Sequence, residues 1–316
     1  MPLSDDAKIL ETSERLVDAL RGAAADVSKE FRPAHARGHI LTGTFTPSQT
    51  ASTLTTAPHF NNPSTSLTIR FSSSTGIPEI PDTDPTANPR GIGIRFHLPN
   101  SATGHRQHTD IIAHSTPSFP TRTGAEFLEL LSAVGNAGAD GGASVKAFID
   151  AHPETGRFLG AAKPSPKSFS TELYYGVNAY KFIGKEGKET FVRYRVVPVA
   201  GLQTYSAEEV KEKGENYLFD GLKGDLPFEF KLVVQVAQDG DVTDNATVVW
   251  PEEREVVELG TIKVEGYVND AKSKEEQKSI IFDPIPRVKG VEVSADPLLE
   301  VRANVYLISG KQRREA

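Results

Sequence analysis

The sequence predicts an α+β protein whose core is an antiparallel β-barrel with helices attached to its outside. Three observations predict it. Strand-like runs recur along the chain: HILTGTF, SLTIRFS, GIGIRFHL and TDIIAHS, then STELYYGVNAYKFI, TFVRYRVVPV, FEFKLVVQVAQ and VVELGTIKVEGYV. Pro, Ser and Thr clusters and long connections separate them, as in barrels rather than in βαβ units. Segments of helical spacing lie at the ends and in the middle.

The elements follow in order. Residues 5–25 carry Ile9, Leu10, Leu16 and Leu20 at helical spacing, so 1–28 is expected as an N-terminal helix packed on the barrel. Residues 76–90, rich in Pro and Thr, read as a long loop. Residues 124–151 read as helix, GAEFLELLSAV and then ASVKAFIDA, and short helices are expected in 206–224. The last segment, 294–314, places Leu298, Val301 and Val305 on a helical stripe. There is no internal repeat or low-complexity linker, so residues 1–316 are read as a single domain.

Composition narrows the function. Of 316 residues, 38% are hydrophobic and 24% charged, enough for a substantial core. A net charge of −7 argues against nucleic acid or anionic membrane as the main partner. No run approaches the ~20 apolar residues of a membrane span. The N-terminus lacks the layout of a secretory signal, and the chain ends KQRREA without a peroxisomal tripeptide, so a cytoplasmic location is expected. There is no cysteine and Met1 is the sole methionine, which removes disulfides, thiolate metal sites and cysteine nucleophiles. Phosphate-loop, H-E-x-x-H and G-x-S-x-G templates are missing, and His105 with His108 reads as a loop pair.

Four segments carry chemistry. FRPAHARGHILTGTF, residues 31–45, holds Arg32 and His35 before Gly38 and Gly43. In SLTIRFSS, residues 66–73, strand alternation puts Arg70 and Ser72 on one face, with Ile69 and Phe71 on the other. TDIIAHSTPSFP, residues 109–120, holds His114 and Phe119. SADPLLEVRANVYLISGKQRR, residues 294–314, spaces Arg302 and Tyr306 four apart, so both lie on one helix face and can meet. A fixed cation there favours the phenolate form of a tyrosine, which a metal can bind.

Together, and in this order, these segments resemble the haem catalases over about residues 30–314. The first matches the family's R-x-x-H-A-x-G-x-x-x-x-G-x-F at every position, and the last fits D-x-x-L-x-x-R-x-x-x-Y through Asp296, Leu299, Arg302 and Tyr306. DPTANPRGIGIRFHL, NAYKFIGKEG and YLFDGLKGDLPFEFKLVVQV are similar to further family landmarks. The resemblance implies an eight-stranded barrel, haem b (iron protoporphyrin IX), Tyr306 as the axial iron ligand, and His35 as the base that handles peroxide. It implies that Ser72 hydrogen-bonds the His35 ring and that Arg32, Arg70 and Arg313 bind the haem propionates, with Lys311 as a second candidate beside Arg313. Phe119 and Phe127 match aromatics that line the pocket and the haem edge.

Two positions depart from the family. His114 stands where catalases carry an asparagine, and a second imidazole there is able to take up a proton near neutral pH. Asn178 stands in place of a family histidine, and no NADPH is expected. The chain ends soon after the ligand helix, without the C-terminal domain of full catalases, and so resembles the short catalase-related peroxidases. The implied activity is reduction of hydrogen peroxide or organic hydroperoxides by a small organic electron donor, with weak catalase activity, by a homodimer. A sulfur-poor chain suits an enzyme that meets peroxide, and compositional drift gives the same count. Two alternatives stay open: a catalase-like hydroperoxide-rearranging or biosynthetic haem enzyme similar to allene oxide synthase, and a non-catalytic haem-binding protein.

Overall fold

The computed structural model describes residues 2–24, 26–101 and 103–316. Its strands are β1 (Gly38–Pro47), β2 (Thr65–Ser72), β3 (Gly91–Leu98), β4 (Gln107–His114), β5 (Ser165–Pro166), β6 (Tyr174–Tyr175), β7 (Tyr180–Ile183), β8 (Glu189–Pro198), β9 (Thr204–Tyr205), β10 (Phe228–Val236), β11 (Val256–Tyr267) and β12 (Val291–Val293). Its helices are α1 (Ala7–Gly22), α2 (Ala51–Leu54), α3 (Gly124–Asp140), α4 (Ala143–Ala151), α5 (Pro153–Gly160), α6 (Ala207–Lys211), α7 (Tyr217–Asp225), α8 (Asp270–Ser279) and α9 (Leu298–Glu315).

Strands β10, β11, β1, β2, β3, β4, β6 and β8 pair antiparallel in that order, and β8 pairs back to β10. The ring is therefore a closed eight-stranded barrel, as expected. Closure removes the exposed edges that an open sheet would present. Alternation along the strands fills the interior: Ile69 and Phe71 of β2, with Ile92, Ile94 and Phe96 of β3, are buried in one apolar cluster with Phe45, Phe182 and Phe230. Arg70 and Ser72 point to the opposite, outer face, where helices cover the wall.

The run 170–183 does not form one strand. It splits into β6 and β7, because Val177 and Asn178 turn away from the barrel. Val177 packs with Leu298 at the start of α9, and the Asn178 amide donates to Asp296 Oδ2 at 2.8 Å. The predicted helix 124–151 breaks at Gly141 and Gly142, both left-handed, into α3 and α4. Thr123 and Glu126 form a reciprocal cap at the α3 N-terminus.

The N-terminal helix, expected against the barrel, instead makes its main contacts with α9 and α3. Its buried stripe of Leu16 and Val17 fits a helix–helix contact, and Arg21 Nε donates to Gln312 of α9 at 2.7 Å. Helix α8 is not legible in the sequence because DAKSKEEQKS has no apolar stripe. A hydrogen bond holds it instead: buried Ser273 accepts from the Ile40 amide of β1 at 3.0 Å.

Candidate active site

The candidate site lies on the outer face of the barrel wall, across from α9. Register aligns Ser72 of β2 with Gly91 of β3, and Gly91 with His114 of β4. Gly91 thus stands between two polar side chains. A Cβ on it would lie 2.7 Å from Ser72 Oγ and 2.9 Å from His35 Nδ1. The missing side chain is what admits the His35 ring to the wall. Gly38, paired with Ser72 on the other side, clears space in the same way for the Arg70 guanidinium.

His35 sits in the segment leading into β1 with φ +54°, a left-handed conformation uncommon outside glycine. Its neighbours over-determine it. The His35 amide donates to Ser74 O and the Ala36 amide to Thr75 O, both at 2.9 Å. Arg70 Nη2 donates to the His35 carbonyl at 2.8 Å and to the Ala36 carbonyl at 3.2 Å. His35 Nδ1 meets Ser72 Oγ at 3.1 Å. Burial first, then Arg70, lowers the imidazole pKa to about 4, so the ring is neutral at ordinary pH.

His114 shares this space. Its Nδ1 accepts from the Thr116 hydroxyl at 2.7 Å and from the Thr116 amide at 3.3 Å, which assigns the ring proton to Nε2. Burial, with Arg302 and His35 nearby, holds its pKa down at about 3. The expectation of a second imidazole that charges near neutrality is therefore corrected: His114 is a neutral donor, because the site desolvates it and its charged neighbour is a cation.

The opposite wall is α9. Arg302 donates to Tyr306 Oη from Nη2 at 3.2 Å and from Nε at 3.4 Å. Arg302 Nη1 also donates to Asn178 Oδ1, and Asn178 bridges to Asp296, which in turn accepts from the Leu298 amide at 3.0 Å. Burial opposes the charge on Arg302, but the phenols of Tyr306 and Tyr180 and the Asp296 carboxylate outweigh it and raise its pKa. Sequence reasoning missed Asn178 as the holder of Arg302. Position 178, read from sequence only as a departure from the family histidine, is 1% exposed.

Three more cations join the site, Arg70 from β2, Arg313 from α9 and Arg32 from the segment before β1. Arg32 Nη2 and Arg313 Nη2 both donate to the Ile280 carbonyl, at 3.1 and 2.8 Å, and Arg313 Nη1 donates to Ser309 Oγ at 2.8 Å. Arg70 Nε donates to Gln277 Oε1 at 2.8 Å. Burial, then mutual repulsion, drives Arg32 well below the usual arginine range, and burial with Arg313 lowers Arg70 to about 9. Guanidinium groups stay protonated, so these shifts register unmet positive charge rather than loss of a proton. Among the described residues, no carboxylate counters any of the three, and buried Arg313 Nε has no partner. This is a cradle for a dianionic group, and the propionates of haem fit it. Lys311 does not share the cradle: it is exposed, whereas Arg313, two residues on, is 2% exposed.

Phe119 and Phe127 meet each other, with ring centroids 5.0 Å apart. Phe119 also packs on Val177 and Leu298 beside the α9 N-terminus, and Phe127 on Leu130 and Phe148. The arrangement can therefore hold a flat dianionic cofactor against a tyrosine oxygen, with a neutral base and a neutral donor on the far side.

Residues 25–314 match the family model described as Catalase. A catalase-related peroxidase of Mycolicibacterium paratuberculosis is 32% identical over 311 residues, covering 96% of this chain and 95% of its own length. A catalase-related peroxidase of Synechococcus elongatus is 30% identical over 311 residues, 96% of this chain and 88% of its own length. Catalase-1 of Arabidopsis thaliana is 27% identical over 306 residues, 89% of this chain but 60% of its own length. A bacterial catalase structure superimposes on 95% of this chain and 60% of its own with a TM-score of 0.74 at 20% identity, a likeness of fold.

Proposed function

Because this chain belongs to the catalase family and is a peroxide-metabolising oxidoreductase, we propose that it is a haem b peroxidase that reduces hydrogen peroxide or organic hydroperoxides with electrons from a small organic donor. The observation that carries the reading is the uncompensated trio Arg32, Arg70 and Arg313, within electrostatic reach of one another, with Arg32 near both Tyr306 and His35. The two relatives that this chain spans almost end to end are both named catalase-related peroxidases.

Haem b supplies the iron and the conjugated ring that take up the oxidising equivalents of the peroxide. Tyr306 Oη would hold the haem iron, the tyrosine ligation known for catalases. Arg302 stabilises negative charge on that oxygen, and Asn178 keeps the guanidinium aimed. Arg32, Arg70 and Arg313 would neutralise the propionates, which are otherwise costly to bury.

His35 moves the proton. With Nδ1–H turned to Ser72 Oγ, its Nε2 lone pair takes the proton from one peroxide oxygen and returns it to the leaving oxygen. A pKa of about 4 keeps that lone pair free at neutral pH. His114, whose proton is on Nε2, donates to peroxide without adding charge. Catalase action, with a second hydrogen peroxide as reductant, is then a minor outcome. The test is oxygen evolution measured against donor oxidation on one haem-loaded sample. Donor oxidation should exceed oxygen release, and oxygen evolution from hydrogen peroxide alone at catalase-like rates would remove the proposal.

A further inference from the structure

A cleft of about 570 Å³ opens between the 30–39 segment and α8. It is separate from the peroxide side of the site, since His35 and His114 are not on its lining. Its inner wall is the outer side of the arginine cradle. Arg32 lines it, and so does Gln277, whose Oε1 accepts from Arg70 Nε at 2.8 Å. Anything seated there lies one side chain away from the groups assigned to the propionates.

We propose that this cleft is the docking site of the organic electron donor, and that it takes a small phenolic carboxylate. The inference rests on the haem reading above. Charge points to the carboxylate. Without Arg32, which belongs to the cradle, the lining's Arg37, Lys274 and Lys278 balance Glu30, Asp270 and Glu275. The one positive charge left at the cleft, on a chain of net charge −7, is the cradle's, where three arginines face two propionates. Ring chemistry points to the aromatic part. Phe31 lines the cleft, as does His39, one face of which stacks on Tyr267 at 4.2 Å. Lys278 meets Glu30 at 3.1 Å, an ion pair that ties α8 to the 30–39 segment.

Two phenols serve one peroxide. Each loses an electron and its O–H proton to become a phenoxyl radical, and the hydroperoxide becomes an alcohol and water. Hydrogen peroxide gives two waters by the same balance. The donor's electrons would pass from the cleft to the bound haem across the arginine cradle, so the donor need not enter the peroxide pocket.

The test uses the haem-loaded full chain and 4-hydroxybenzoate as probe. Its ring protons should show saturable relaxation enhancement from the ferric iron. Ala271→Trp fills the cleft and Lys274→Glu reverses an exposed charge on its lining. Both should weaken the enhancement and raise the donor KM roughly fivefold or more. The Soret band and the donor-free rate of reaction with peroxide should stay as in the parent. Lys274→Glu lies on the surface and keeps the fold if the tryptophan variant does not form. Equal enhancement and KM in Lys274→Glu, or phenol binding as well as 4-hydroxybenzoate, with the Soret band intact, would overturn the inference alone. A chain that takes up no haem would overturn the haem reading and this inference with it.

Discussion

At the scale of the residue, the site is a set of side chains whose charge states are decided by burial. His35 should act as base only while neutral. Its pKa lies near 4, so kcat/KM for peroxide should be flat through neutrality and fall as pH drops toward 4. His35→Ala should lower kcat/KM by about 10²- to 10⁴-fold with the Soret band retained; stopped-flow mixing with peroxide measures it. Tyr306→Phe removes the oxygen set against Arg302. The visible spectrum of the haem-loaded variant should change and peroxide turnover should be lost. Gly91→Ala is the subtler change. Its methyl group would press on Ser72 Oγ at 2.7 Å and His35 Nδ1 at 2.9 Å, so the rate should drop while the far-ultraviolet circular dichroism stays the same.

At the scale of the element, the wall and the facing helix are built by different rules. The wall follows from strand alternation, which is why the sequence alone assigns Arg70 and Ser72 to one face. Helix α9 shows its own stripe of Arg302, Tyr306, Ser309 and Arg313. What joins the two is not periodic. Asn178 sits where a strand breaks, and ties Arg302 to Asp296. Asn178→Ala would leave both buried groups short of a partner, at about 1–3 kcal/mol. Thermal unfolding should show the loss, and the haem spectrum should shift with Arg302 released. Helix α8 lacks an apolar stripe, so only its contacts reveal it. Ser273 and Gln277, its links to β1 and Arg70, look like ordinary polar residues of a solvated helix when read in sequence.

At the scale of the whole molecule, burial of neutral imidazoles makes the fold sensitive to acid. His59 is 2% exposed, rests on Phe60 and Phe96, and has its pKa lowered to about 3 by burial. His35 and His114 are lowered to about 4 and about 3. The unfolded chain takes up protons near pH ~6.5, where the fold still excludes them. Stability is therefore complete above about pH 6.5 and lost as pH falls toward the folded values, by up to about 1.4 kcal/mol per pH unit for each such histidine. Urea unfolding at pH 7 and pH 4.5 should show this drop, and His59→Phe should reduce it. No helix among the described residues is long and apolar enough to cross a membrane.

Spacing along single elements was enough to give most of the barrel's long strands, the shared face of Arg70 and Ser72, and the Arg302–Tyr306 pair. Periods of two and 3.6 residues are local properties and can be read without contacts. Contacts between distant elements set the rest: α1 rests on α9 and α3, Lys311 faces outward while Arg313 is buried, and Asn178 holds Arg302. Burial also sets the protonation of His114. Partners from distant elements and the loss of water around a group are not written in spacing, and they set both the pKa values and the charge left for a cofactor to neutralise.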